Sequence, residues 1–286
     1  MSEPHVAMLV ETVLGVATIV ALVWIAVPGR RPWALAADSV VRTATSWRRL
    51  AYLGALLAIL VFNRLYLALG IDERCTAWVV ARRGTDFATL IHRCIEGDAV
   101  AHLQRAVAWL PLTWLLGYVY VVAFPCLVFV VLLVLDHRRD GHGLALVLAA
   151  YLLNFALVLP FYVCVPVREA FVYYQESGLR EPAVRLLLDD ISPAIMAGYR
   201  SMSGVDNCFP SFHTSLAATM ALVGWRGGRR LGWAVAALAA ATVVSTIYLG
   251  VHWLTDVAAG LVVAAAAWAL ARRVARRWQA PAREAA

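Results

Sequence analysis

Apolar positions along the chain gather into seven long runs, parted by stretches where arginine, aspartate, glycine and proline collect. The runs cover about residues 6–27, 49–69, 109–135, 144–165, 210–226, 231–250 and 253–271. A helix of roughly 20 residues crosses a hydrocarbon core of about 30 Å. The pattern therefore predicts an all-α, polytopic membrane helical bundle. Several runs are rich in Ala and Gly, which lets helices approach one another closely. The first run has no basic leader, carries Glu3 and His5 instead, and exceeds the length of a typical secretory leader's apolar stretch. It reads as a retained helix.

Between the runs lie two long segments of mixed charge, about 70–108 and 166–209. In 85-TDFATLIHRCIEGDAVAHLQRAVAWL-110 the apolar residues recur at helical spacing around charged ones. One or two interfacial amphipathic helices are expected there. No internal repeat and no soluble domain is evident. The chain divides into an N-terminal transmembrane helix with its linker (1–48), a helical core (49–272) and a basic tail (273–286).

Composition agrees: 62% hydrophobic residues, 15% charged residues and a mean hydropathy of +0.73 exclude an ordinary soluble domain. The net charge of +7 comes entirely from arginine, because the chain has no lysine. Arg30, Arg31, Arg42, Arg48 and Arg49 lie between the first two runs, and Arg138 and Arg139 between the third and fourth. Arg226, Arg229 and Arg230 lie between the fifth and sixth, and Arg272, Arg273, Arg276 and Arg277 follow the last. Positive loops stay on the cytoplasmic side. This places the N-terminus outside and the C-terminus inside. The arginines are spread over separate loops rather than one stripe, which argues for a bilayer and against nucleic acid as partner. Five cysteines show no metal-ligand spacing, and no metal or other cofactor is expected. Cys126 and Cys164 read as space-filling, whereas Cys75, Cys94 and Cys208 share the predicted outer side and would allow one disulfide.

Two polar clusters stand at the outer ends of runs: 210-PSFHTS-215 and 245-STIYLGVHWLTD-256. His252 and Asp256 are four residues apart, so on a helix they share a face. A carboxylate bonded to one imidazole nitrogen fixes the tautomer and leaves the other nitrogen free to attack. His213 brings a second imidazole from a different helix, suited to protonate a leaving oxygen. Each residue alone has a plainer reading. Asp256 could favour a helix start, and Ser211, Thr214 and Ser215 could cap a helix opened by Pro210. Histidines such as His92 and His102 read as packing or interfacial groups. Both histidines, the aspartate and the serines falling on one predicted side is what the plain readings explain poorly. Arg64 lies within the second run beside Asn63 and either snorkels to the interface or touches a lipid phosphate.

Pro210-Ser211-x-His213, followed by Ser245-x6-His252-x3-Asp256, resembles the second and third signatures of the type 2 phosphatidic acid phosphatase superfamily. Two positions depart from the usual phosphatase pattern: Phe212 stands where Gly is usual, and Thr246 where Arg is usual. The Ser-Thr-x-Tyr-Leu variant is more similar to the inositol phosphorylceramide synthase branch, the aureobasidin-sensitive transferases. The resemblance implies a six-helix core of the superfamily's type plus one N-terminal helix. It also implies an integral membrane lipid phosphotransferase or phosphatase whose donor is a lipid phosphate or phospholipid. A phospho-headgroup such as inositol phosphate would pass between lipids, with a polyol such as inositol as acceptor.

By the same resemblance His252 is the nucleophile, Asp256 its orienting carboxylate and His213 the acid–base. Ser211 and Ser245 would hold phosphate oxygens. The family's first, basic signature is absent as such; Arg168 takes its place, with Arg180 and Arg200 as further candidates. Guanidinium groups suit phosphate oxygens because they bond them in pairs. A polyprenyl- or phosphatidate-type phosphatase is the nearest rival. A non-catalytic transporter or scaffold on the same fold would be expected to have lost one of the three residues, and this chain keeps all of them.

Overall fold

A computed structural model describes residues 3–178, 183–191, 204 and 206–279. Among these the chain is helical, and the only extended pairing is a single bridge between Val167 and Asn207. The helices are α1 (Glu3–Ala26), α2 (Pro32–Ala44), α3 (Trp47–Ala68), α4 (Ile71–Arg83), α5 (Phe87–Ile91), α6 (Ala99–Val107), α7 (Leu110–Tyr118), α8 (Phe124–His137), α9 (Gly141–Cys164) and α10 (Ala170–Glu176). Further along the chain come α11 (Phe212–Gly224), α12 (Arg229–Tyr248) and α13 (Leu254–Gln279). A π-helical turn, Val119–Ala123, joins α7 to α8 into one continuous rod.

Six segments are long and apolar enough to cross a membrane: Met8–Ala26, Trp47–Ala68, Leu110–His137, Gly141–Cys164, Arg229–Tyr248 and Leu254–Trp278. The protein is a multi-pass membrane protein. The fifth apolar run differs from expectation. It forms α11, only 13 residues long, or about 20 Å at 1.5 Å per residue. This helix packs against α8, α9, α12 and α13. A segment enclosed by protein can begin at depth with polar, non-helical backbone, because its neighbours satisfy it. Thr214, Ser215, Ala217, Thr219, Met220 and Val223 of α11 are all buried. By contrast α1 and α3 are mostly exposed along their spans, and their Leu, Val and Trp side chains face outward. In a bilayer that surface is a lipid-facing wall.

The stretch expected to be amphipathic forms α5, a π-helical turn (His92–Glu96) and α6. Asp86 opens α5 by accepting from Thr89 N–H at 2.6 Å. Asp98 accepts from Tyr174 Oη at 2.6 Å and lies 3.0 Å from His92 Nε2. These two hydrogen bonds, Tyr174 first, hold its carboxyl below the usual carboxylate range. His92 is thus a hydrogen-bonded packing residue, set between Asp98 and Tyr173.

At one end of the bundle charges are paired. Arg42 Nε donates to Asp136 at 2.9 Å, Arg49 pairs with the same carboxylate, and Arg226 bonds Asp140 at 2.9 and 3.0 Å. At the other end, the chain leaving α9 runs beside the approach to α11. Val167 N–H donates to Asp206 O at 3.0 Å, and Cys208 N–H to Val167 O at 3.1 Å. Just beyond it, Ala170 and Phe171 N–H donate to Val251 and Gly250 carbonyls at 3.1 and 3.0 Å. One short segment thus ties α11 to the α12–α13 turn.

Candidate active site

The α12–α13 turn is built around Gly250, with φ +82°. A Cβ there would lie 2.8 Å from the Gln104 amide, so glycine is required both by conformation and by space. The turn closes with His252 N–H donating to Thr246 O at 3.0 Å. On the far side of the turn, Gly260 of α13 lets the start of α11 approach; a Cβ would fall 2.7 Å from Ser211 O. Ser211 N–H donates to Asp256 O at 3.1 Å, and its hydroxyl accepts from Thr214 N–H at 3.2 Å. The first turns of α11 and α13 are therefore pinned together. Glu96, from the π-helical turn, caps α13 by accepting from Leu254 N–H at 2.9 Å and from Thr255 N–H.

This framework brings His213, His252 and Asp256 to one place. The two imidazole rings stand 5.9 Å apart, edge towards face. His213 is stacked on Tyr120 at 4.5 Å and packed against Phe124 at 4.7 Å, which fixes its plane. His252 Nδ1 lies 3.3 Å from Asp256 Oδ2. The same carboxylate oxygen accepts from Trp253 N–H at 2.8 Å and from the Cys208 thiol at 2.9 Å. Asp256 is fully buried and His252 is 5% exposed. Such a carboxylate needs hydrogen-bond donors to remain ionised. A proton on Nδ1 pointing at Asp256 leaves the Nε2 lone pair free.

Cys208 was not foreseen as part of this group. Its Sγ also lies 3.0 Å from His252 Nδ1 and 3.3 Å from Val251 O. Burial, reinforced by the charges of Asp256 and Glu169, raises its thiol well above the usual range, so it stays protonated and donates. None of the five cysteines forms a disulfide, so the one that the sequence allowed is absent. Cys208, His252 and Asp256 are also the described residues whose donor atoms lie close enough to share a cation, all within 4.8 Å.

A cavity of about 380 Å³ opens onto both histidines. Its walls are aromatic (Tyr120, Phe124, Tyr151, Phe155, Tyr162, Phe212) with Glu11, Asn63, Glu169 and Asn207 between them. Phe212, at the position where the superfamily usually has glycine, meets Tyr151 and Phe155 edge-on at 6.1 and 6.2 Å and forms part of the wall.

The expected phosphate-binding residues are placed differently. Ser211 and Ser245 are fully buried, and their hydroxyls serve their own helices, Ser245 donating to Thr242 O at 2.7 Å. Arg168 does not line the cavity; its guanidinium meets Glu176, Asp86 and Asp206, the last two at 3.6 Å. Its carbonyl accepts from Trp253 Nε1 at 3.0 Å. Arg64 is exposed on α3, and its neighbour Asn63 is the residue that faces the cavity. Arg180 and Arg200 lie outside the described residues. Residues the sequence did not point to are Cys208, Glu96, Glu169 and Glu11. Cys208 and Glu169 adjoin motif positions, two residues before Pro210 and one after Arg168, which was the one signal available.

The chain matches the PAP2 superfamily over residues 93–270, more than half of its length. It belongs to that superfamily. Neither curated proteins nor solved structures give a match. Members of the superfamily are phosphatases and phosphotransferases. The matched segment starts within the π-helical turn before α6 and ends in α13, so α1 to α5 lie outside it.

Proposed function

We propose that this PAP2 superfamily protein is a lipid phosphotransferase or phosphatase that works through a phosphohistidine on His252. One observation carries the reading: two imidazoles face one cavity 5.9 Å apart, and only one of them is backed by a buried carboxylate. That asymmetry separates the roles. His252, with Nδ1 held by Asp256, attacks phosphorus through Nε2, forming an N–P bond as the P–O bond to the lipid alkoxide breaks. His213 gives its proton to the departing oxygen. An acceptor hydroxyl, or water, then attacks the phosphohistidine, with His213 taking the proton and His252 leaving as a neutral ring. The remaining gain comes from holding the phosphoryl group in line.

Transfer to a hydroxyl acceptor, as in the inositol phosphorylceramide synthase branch, is supported by Thr246 standing where phosphatases carry arginine. Thr246 is fully buried, with its hydroxyl donating to Val243 O at 2.8 Å, and supplies no cation. The helical core at 49–272 is proposed as the catalytic unit. The paired arginine end carrying Arg42, Arg49 and Arg226 is proposed as cytoplasmic, which puts the histidines on the extracytoplasmic side.

The test is to trap the intermediate. Wild-type protein mixed with headgroup-labelled phospholipid and quenched in alkali should carry acid-labile, base-stable label on His252. His252→Ala should carry none and should lose turnover to background. A variant that keeps full turnover ends this assignment.

A further inference from the structure

Part of the cavity lining comes from helices outside the superfamily segment. Glu11 comes from α1, and Ile59, Leu60 and Asn63 come from α3. Glu11 is the one charged side chain between Met8 and Ala26, in the first turn of that apolar span. Among the described residues it has neither a hydrogen bond nor an ion pair. A carboxylate within an apolar span is costly unless a ligand or partner compensates it, and such a group marks a candidate functional site. Glu169 places a second carboxylate on the cavity, and no arginine lines it among the described residues. Tyr120, Tyr151 and Tyr162 line the same cavity as the two acids. Carboxylates set among aromatic faces are the surroundings that hold an organic ammonium. A polyanionic headgroup would instead meet charge of its own sign.

We propose that this cavity selects zwitterionic phospholipids, with the ammonium of an ethanolamine or choline headgroup held at Glu11 and the aromatic wall, and the phosphate between His213 and His252. The inference rests on the phosphotransfer reading above and replaces inositol phosphate as the headgroup moved. In the step it implies, His252 Nε2 bonds phosphorus, the diglyceride oxygen leaves with the proton of His213, and the phospho-amino-alcohol stays on His252. Water or an acceptor hydroxyl then takes it, releasing the ring. Asn63, which lines the same cavity, is suited to accept or donate to the headgroup without charge.

Binding and turnover are measured separately. His252→Ala in detergent is titrated calorimetrically with dihexanoyl phosphatidylcholine, phosphatidylethanolamine and phosphatidylinositol. At least one zwitterionic lipid should bind about tenfold or more tightly than phosphatidylinositol, and adding Glu11→Gln should erase most of that difference. Size-exclusion profiles and helical circular dichroism check that the double variant is folded; if it is not, Glu11→Asp on the same background takes its place. Wild-type protein in vesicles of equal phosphatidylethanolamine, phosphatidylcholine, phosphatidylinositol and phosphatidate is then followed by phosphorus NMR. The zwitterionic lipids should be consumed first, with Glu11→Gln raising KM at least fivefold and changing kcat less than threefold. Preference for phosphatidylinositol or phosphatidate, or a zwitterionic preference unaffected at Glu11, overturns the inference. Zwitterionic binding with no turnover of any lipid would leave the inference standing and sink the phosphotransfer reading.

Discussion

Two buried aspartates, Asp136 and Asp256, stand near opposite ends of the bundle and are neutralised in different ways. Asp136 is 3% exposed and is clamped by the guanidinium groups of Arg42 and Arg49. Asp256 is fully buried and is held by a backbone N–H, a thiol and an imidazole. A guanidinium has no proton to exchange at any accessible pH, so its contacts with Asp136 simply tie α2 and α3 to the end of α8. An imidazole can gain or lose one, so the Asp256 arrangement can stabilise a ring whose charge changes during a reaction. One end of the molecule fixes helices with charge; the other keeps a carboxylate for chemistry.

The sharpest way to break that contrast is to neutralise each aspartate in turn. Asp256→Asn should lower turnover by about 10³–10⁴-fold, as expected when the ring loses its orienting charge, with little change in melting temperature. Asp136→Ala should do the reverse. Two arginines lose a buried partner, which costs about 3–5 kcal/mol, read as a lower melting temperature in detergent with turnover per folded molecule retained. If both variants melt early, or if both only lose turnover, the division of roles fails.

A smaller effect tests the thiol. Cys208→Ala removes a donor to Asp256 Oδ2 and should reduce turnover about tenfold, near the 1–3 kcal/mol for an unsatisfied buried group. Cys208→Ser restores a donor and should recover most of that loss. Equal activity in the two variants would show that Cys208 only fills space. Smallest of all is the rim of the arginine end. Arg226→Ala breaks a partly exposed pair with Asp140 and should change stability by less than about 1 kcal/mol, with no effect on turnover. A larger shift would mean that this end is organised by the outer pair as well as by Asp136.

Much of the molecule is visible in the order of its residues. The apolar runs and arginine-bearing turns predict the helices, because a bilayer forces every spanning backbone to satisfy itself by helical hydrogen bonds. The spacing of His252 and Asp256 predicts their shared face, because 3.6 residues per turn brings residues four apart together. Pro210-Ser211-x-His213 marks the start of α11. The length of that helix is not visible, since hydropathy does not distinguish a run enclosed by protein from one that meets lipid.

What only the tertiary structure decided is which side chains meet across helices. Cys208 joins the dyad because the Val167–Asn207 bridge brings the loop before α11 under the α12–α13 turn. Arg168 turns from the cavity to three acids, while Glu169, one residue on, faces the cavity because successive side chains on an extended segment point opposite ways. Glu11 and Asn63 face the histidines from helices more than 140 residues earlier in the chain. Local periodicity fixes the face a residue occupies on its own helix. The neighbour that face meets depends on how all the helices pack at once, which local pattern does not encode.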